Sequence, residues 1–245
     1  MKTTAPPLIE ADGLSLATAG RTLVRSLNWQ AQTGERWCVI GRNAVGKSTL
    51  LRALAGLPVP ACEGAVRWRG RPQADWPVAD AAALRAFAPQ QSSDRFTISV
   101  RRLLELAACG PGAPPPLELL EALDAGPLAE RDVMRLSGGE RQRVALAQCA
   151  AQGAPLMLLD EPVAFQDPAH QRQVARWLAS LAGRCLVFSA HDVNWLAGVA
   201  THVLALYGDG RWEAGPVAAM LSAARLEAVY GCRWTWTGGA WVLAD

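Results

Sequence analysis

Arg36-Trp-Cys-Val-Ile-Gly41-Arg42-Asn43-Ala44-Val45-Gly46-Lys47-Ser48-Thr49 is the stretch whose reading decides the fold. Residues 36–40 form a short apolar run with aromatic and β-branched members, the composition of a buried strand. The run leads directly into Gly-x-x-x-x-Gly-Lys-Ser. Residues 48–55 are then apolar at helical spacing, with Gly56 and Pro58 as a stop signal. Strand, glycine loop and helix is the order in which this pattern has a mechanism. Glycines let the backbone curl until its N–H groups face phosphate oxygens, and the helix adds the positive end of its dipole. Lys47 is placed for the β- and γ-phosphates of a nucleotide, and the Ser48 hydroxyl for Mg2+. Gly41, Arg42, Asn43, Ala44, Val45, Gly46, Lys47, Ser48 and Thr49 are therefore the expected nucleotide seat.

On the N-terminal side, residues 8–30 alternate loosely (LSLATAG, RTLVRSLNW) and read as short antiparallel strands. Residues 65–69 read as another strand, 72–80 as a polar, proline-bearing connection, and 84–88 as a strand ending at Pro89-Gln90. Between residues 91 and 135 the character changes. Helical patterning at 100–108, a Gly-Pro-rich break at 110–116 and a second helical run at 117–123 predict a helical insertion with a flexible middle. From Glu140 a helix, a strand at 156–159, a helix at 171–181, a strand at 185–189 and a helix at 193–199 follow. Strands alternating with helices imply a parallel sheet with crossovers, so the fold class is α/β. The tail RWTWTGGAWVL reads as a hairpin around Gly238-Gly239.

The run Leu156-Met-Leu-Leu159 ends in Asp160-Glu161. Side chains alternate along a strand, so the two acids point to different places. Asp160 suits the outer coordination sphere of a Mg2+ ion beside the glycine loop. Glu161 reaches toward the γ-phosphate, where a carboxylate polarises attacking water.

Composition narrows the classes. The 245 residues are 51% hydrophobic and carry a net charge of +2 with both signs scattered, so no electrostatic case for nucleic acid exists. Six widely separated cysteines without a CxxC pair indicate reduced thiols in a cytosolic compartment. The N-terminal MKTTAPPLIEADG has no apolar core of a secretory signal. The longest uncharged stretches, 144–159 and 193–208, fall short of the ~20 apolar residues of a spanning helix, so any service to a membrane is from outside the bilayer. The ten tryptophans read as core and edge packing, and His170 and His202 as ordinary residues.

Leu136-Ser137-Gly138-Gly139-Glu140-Arg-Gln142-Arg-Val, ahead of a long helix, resembles the signature of ABC ATPases. Ser137 suits a helix cap and the paired glycines allow close approach to an anion. Gln90, Asp167 in AFQDP and His191 in SAHD match the family's Q-loop, D-loop and switch positions. The resemblance spans Leu8 to about Tyr230. It implies a P-loop NTPase (RecA-like) core with an N-terminal antiparallel β subdomain and a short inserted helical subdomain. It also implies that residues 1–245 are a single nucleotide-binding domain, with 7–35 and 63–72 as the antiparallel part, 36–60, 83–90 and 140–210 as the core, 91–136 as the helical insertion and 211–245 as a C-terminal tail.

The resemblance further implies ATP and Mg2+ as ligands, Glu161, His191 and Gln90 as catalytic residues, and Ser48, Gln90 and Asp160 at the metal. It implies a head-to-tail homodimer in which Ser137, Gly138 and Gly139 of one copy complete the other copy's ATP site, and it adds Asp167 to the nucleotide-binding residues. Polytopic membrane permease subunits and a periplasmic or surface substrate-binding protein are the implied partners, with the chain cytoplasmic and peripheral on the inner face of the cell membrane. The stretches RAFAPQQSSDRFTISV, DPAHQRQV, AHDVNWLAGVATHVLAL and GDGRWEAGP with LEAVYG are similar to ATPases of importers for iron chelates, haem or vitamin B12. Other importers and exporters share most of the remaining motifs. A different class, a soluble ABC ATPase driving a cytosolic assembly complex such as iron–sulfur cluster building, shares the catalytic set. Four features depart from the family: Ala17-Thr18-Ala19 where an adenine-stacking aromatic is usual, Ala44-Val45 in the glycine loop, Phe165-Gln166 before Asp167, and a helical insertion that is short for the importer subgroup.

Overall fold

Residue by residue, the strand Arg36–Ile40 shares itself between two cores: Trp37 and Val39 face one and Cys38 and Ile40 the other. The strands Leu156–Leu159, Cys185–Ser189 and His202–Leu206 divide in the same way. Both faces of the sheet are thus covered, which is why these strands read as unbroken apolar runs rather than alternating ones. The structure, a computed structural model, describes residues 6–90, 97–108 and 114–244. The readings made at 1–5, 91–96 and 109–113, including Cys109 and most of the Gly-Pro break, lie outside the described residues.

The chain opens with β1 (Ile9–Thr18) and β2 (Arg21–Ala31), an antiparallel pair, followed by β3 (Arg36–Ile40) and α1 (Lys47–Leu54). β4 (Ala61–Trp68) and β5 (Arg71–Pro72) complete a four-stranded antiparallel sheet in the order β2-β1-β4-β5. Next come α2 (Val78–Leu84) and β6 (Arg85–Ala88), then the helical segment with α3 (Val100–Ala107) and α4 (Pro116–Ala122). The remainder is α5 (Gly138–Ala151), β7 (Leu156–Leu159), α6 (Pro168–Ser180), β8 (Cys185–Ser189), α7 (Val193–Ala197), β9 (His202–Leu206) and β10 (Trp212–Pro216). It closes with α8 (Val217–Met220), α9 (Ala223–Tyr230) and the hairpin β11 (Trp234–Thr237) and β12 (Ala240–Leu243). The larger sheet runs β10-β9-β3-β8-β7-β6, parallel except for β10 at its edge. The class is therefore α/β, a parallel sheet flanked by an antiparallel sheet on one side and helices on the other.

Several sequence readings need correction. The connection at 72–80 is not featureless: it holds a 3-10 turn at Gln73–Asp75 and the start of α2. Pro77 caps an alanine-rich segment there, and alanine is the best helix former. Leu84 accordingly ends α2 instead of opening β6. β1 and β2 are ten and eleven residues long, not short. Trp212–Pro216 is a strand of the large sheet, not part of a tail. An edge strand with one solvated face does not need the apolar pattern by which strands are recognised, and WEAGP has none.

Trp68 ties the layers together. It is 2% exposed, its indole N–H donates to the Leu54 carbonyl at 3.1 Å, and the Arg85 guanidinium lies 5.7 Å from its ring centre. We expect Trp68→Ala to cost about 3–5 kcal/mol of stability through the cavity it leaves. Denaturant unfolding reads this, and a loss under about 1 kcal/mol would show that the layers do not depend on the contact.

Candidate active site

The register of the parallel strands sets up the site. Ala88 lies beside Leu159, Leu159 beside Phe188, and Val39 beside Ser189. The residues that follow each strand, Gln90, Gly41, Asp160 with Glu161, and His191, are therefore delivered to one edge, where open α/β sheets bind ligands. They open on a cavity of about 450 Å³ lined by Thr18, Leu23, Asn43, Ala44, Val45, Gly46, Lys47, Ser48, Thr49, Gln90, Glu161 and His191. Apart from the His191 imidazole, no lining side chain is aromatic.

Gly41 (φ 148°), Ala44 (φ 57°) and Gly46 (φ 115°) curl the loop. A Cβ on Gly46 would sit 2.9 Å from the Leu23 Cβ, and one on Gly41 2.7 Å from the Leu206 carbonyl oxygen. Ala44 keeps a side chain in the left-handed region, which costs on the order of 1 kcal/mol. Gly46 caps α1 without any side-chain acceptor, so the helix offers its first N–H groups to an anion. Lys47 is 5% exposed, and its ammonium donates to the carbonyls of Gly41 at 2.9 Å and Arg42 at 3.2 Å. Those two residues do not line the cavity themselves and meet it through Lys47. Burial lowers the Lys47 pKa, and the charges of Glu161 and Asp160 oppose that shift.

Glu161 takes a left-handed backbone (φ 50°), which swings its carboxylate off the line of β7. One oxygen accepts from the Gln90 amide at 2.7 Å, and the other meets Nε2 of His191. Asp160 is buried, 4% exposed. Between the acids stands Ser189, which sequence reading missed. Its hydroxyl donates to Asp160 Oδ1 at 2.7 Å and accepts from the Glu161 N–H at 2.9 Å. The available signal was a hydroxyl closing an otherwise apolar strand just before Ala190-His191. Gln142 on α5, also missed, donates to the Glu161 carbonyl at 3.3 Å.

Ser137, Gly138, Gly139 and Asp167 do not line this cavity. Ser137 caps α5 in a capping box: its hydroxyl accepts from the Glu140 N–H at 3.4 Å, and Glu140 accepts from the Ser137 N–H at 2.8 Å. The Ser137 amide, aided by its hydroxyl and by Arg131 at 2.8 Å, holds the Glu140 carboxyl below the ordinary range. Gly138 and Gly139 lie against Phe165 (φ 62°); a Cβ on Gly139 would come 2.9 Å from the Phe165 carbonyl oxygen. Asp167 caps α6, accepting from the N–H groups of Ala169 at 2.9 Å and His170 at 3.0 Å. The His170 ring bridges Asp167 at 2.7 Å and Asp124 at 3.3 Å, a link between α6 and the turn after α4.

A sequence model described as ABC transporter matches residues 24–164 of this chain. The chain belongs to the ABC transporter family. It is an ABC ATP-binding subunit, an ATPase whose hydrolysis is coupled to transport. It is 38% identical over 234 residues to the hemin import ATP-binding protein HmuV of Streptomyces coelicolor, covering 91% of this chain and 83% of that protein. The HmuV of a Ruegeria species is 37% identical over 240 residues, covering 91% of each. An inward-facing ABC transporter assigned to the metal-chelate type overlays with a TM-score of 0.79 at 24% identity, covering 98% of each chain. A bacterial Atm1-family ABC exporter with ATP bound overlays with a TM-score of 0.75 at 22% identity, covering 89% of this chain and 41% of that one. The two overlay to nearly the same degree, so the backbone carries the ABC ATPase fold and not the direction of transport. No helix among the described residues of this ABC subunit is long and apolar enough to cross a membrane.

Ser189→Ala leaves the buried Asp160 short of a donor and the Glu161 N–H without an acceptor. An unmet buried group costs about 1–3 kcal/mol. We expect kcat for ATP to fall roughly tenfold while KM stays within about twofold, read by steady-state phosphate release. An unchanged kcat would remove Ser189 from the site.

Proposed function

We propose that this chain is the ATP-hydrolysing subunit of an importer of haem or an iron chelate, working as a head-to-tail homodimer on the cytoplasmic face of a cell membrane. The observation that carries the hydrolytic part is the Gln90–Glu161–His191 hydrogen-bonded set at the acid end of the phosphate-loop cavity. The cargo class rests on relatives named for hemin import, matched over 91% of this chain. Polytopic permease subunits and a periplasmic or surface binding protein belong to the same reading.

In this mechanism the triphosphate of ATP lies on the loop N–H groups and the open start of α1, and Lys47 exchanges its two carbonyls for phosphate oxygens. Glu161 accepts the proton of the attacking water, and Gln90 and His191 fix the carboxylate's direction. Thr18 and Leu23 offer the base an apolar, unstacked end, which takes the place of an aromatic platform. Ser48, Gln90 and Asp160 fit Mg2+ by donor chemistry, since a hydroxyl, an amide oxygen and a carboxylate are the oxygen ligands a hard cation takes. The Gln90 amide nitrogen is spent on Glu161 and Asp160 Oδ1 on Ser189, which leaves one oxygen of each side chain for a metal. When bound, Mg2+ neutralises charge on the β- and γ-phosphates.

Ser137, Gly138 and Gly139 stand apart from the cavity of their own chain, which supports their use by a second copy. ATP then binds better to the closed pair than to the separate chains, and hydrolysis removes that preference.

Glu161→Gln is expected to bind ATP, accumulate an ATP-dependent dimer and lose turnover by about 100-fold or more. Undiminished hydrolysis would reject the general-base role. Mixing Ser137-defective with Lys47-defective chains is expected to restore one active site per mixed dimer. No restoration would mean that both residues serve the same chain's nucleotide. Co-purification with a polytopic membrane protein supports the importer reading. Co-purification with a soluble scaffold instead would favour a cytosolic assembly ATPase.

A further inference from the structure

The mechanism above leaves the C-terminal hairpin β11–β12 without a task, yet it touches the segment that carries His191. That segment is held from two sides. α7 begins two residues after His191 and has five residues. A helix that short does not hold itself together in water, so its place is set by what packs against it. On the inner side Val193 and Leu196 are buried, and the Trp195 ring stands edge-on to Phe188 at 5.6 Å. The Trp195 N–H donates to the Gln171 carbonyl at 3.0 Å. On the outer side the Asn194 side chain makes a reciprocal pair with the backbone of Trp241. Its amide N–H donates to the Trp241 carbonyl at 2.9 Å, and its Oδ1 accepts from the Trp241 N–H at 2.7 Å.

Two parallel bonds fix rotation as well as distance, which a single bond does not. The Asn194 backbone N–H donates to Asp192 Oδ1 at 2.8 Å, so the same residue grips the hairpin with its side chain and the neighbour of His191 with its backbone. The hairpin is a stiff body to lean on. Its two-residue turn, Gly238 (φ 61°) and Gly239 (φ 83°), matches the twist of paired strands. Its root is seated at the phosphate loop. Tyr230 lies 5.5 Å from the Trp234 ring, and its hydroxyl is buried near the Gly41 backbone, where burial drives its pKa up.

We infer that the hairpin is a positioning element for hydrolysis: through the Asn194–Trp241 pair it fixes α7 and so holds His191 against Glu161. This rests on the proposed role of His191 at Glu161. Asn194 touches neither the cavity nor the acids, so it acts through His191.

The test is ATP hydrolysis by the full chain, comparing Asn194→Ala, Asn194→Asp, His191→Ala and the Asn194→Ala/His191→Ala double variant, each checked by thermal melting. Asn194→Ala is expected to lower kcat about five- to tenfold with KM for ATP within about twofold. Asn194→Asp, which keeps the acceptor for the Trp241 N–H, is expected to fall between it and the unmodified chain. In the His191→Ala background the Asn194 change is expected to have no further effect, because its effect runs through the missing ring. The inference is overturned if Asn194→Ala leaves kcat unchanged while His191→Ala lowers it. It is equally overturned if the Asn194 loss is the same in both backgrounds, which would make the hairpin a general support. If His191→Ala itself leaves kcat unchanged, the role of His191 fails and the inference with it.

Discussion

The hydrogen-bond register of the parallel strands is the constraint on which the rest depends. β3, β6, β7 and β8 pair so that their ends finish within a residue of one another, Ala88 with Leu159, Leu159 with Phe188 and Val39 with Ser189. Gly41, Asp160, Glu161, Gln90 and His191 all follow a strand end by one or two residues. A one-residue slip in any pair would exchange the two faces of that strand between cores, and the apolar residues on both faces resist it. Stability and site geometry are thus two outcomes of the same packing.

Three of the residues that carry a side chain at positive φ stand in or beside the proposed site. Ala44, Glu161 and Phe165 all carry side chains at positive φ. Each such residue costs on the order of 1–3 kcal/mol and persists only when its surroundings over-determine it. Glu161 is the clearest case. Ser189 holds its N–H, Gln142 its carbonyl, and Gln90 and His191 its carboxylate, so the strained residue has no relaxed alternative that keeps its bonds. Phe165 rests on Gly138 and Gly139, which gives those glycines a structural reason beside any approach to phosphate.

Capping gives two of the candidate residues a second role. Ser137 closes α5 and Asp167 closes α6, contacts that need no nucleotide. Each is therefore fixed in place by bonds at the start of its own helix. Pre-organisation of this kind lowers what association has to order.

Much of the molecule was legible in the chain alone. Arg36–Ile40 before a glycine loop, Leu156–Leu159 before two acids and Ser137 three residues ahead of Glu140 are local patterns whose physics acts within a few residues, so strand, cradle and cap could be read directly. β10 could not, because an edge strand with a solvated face has no apolar signature, nor could α2, hidden behind prolines. Ser189 and Gln142 escaped because their meaning lies in what they touch, 28 and 19 residues away along the chain. The same holds for Asn194, whose partner is 47 residues distant. Sequence by itself determined which segments curl, extend or coil and which chemical groups end each strand. Only the tertiary structure decided which of those groups meet, since pairing across long loops is settled by sheet register and core packing rather than by any preference of the local chain.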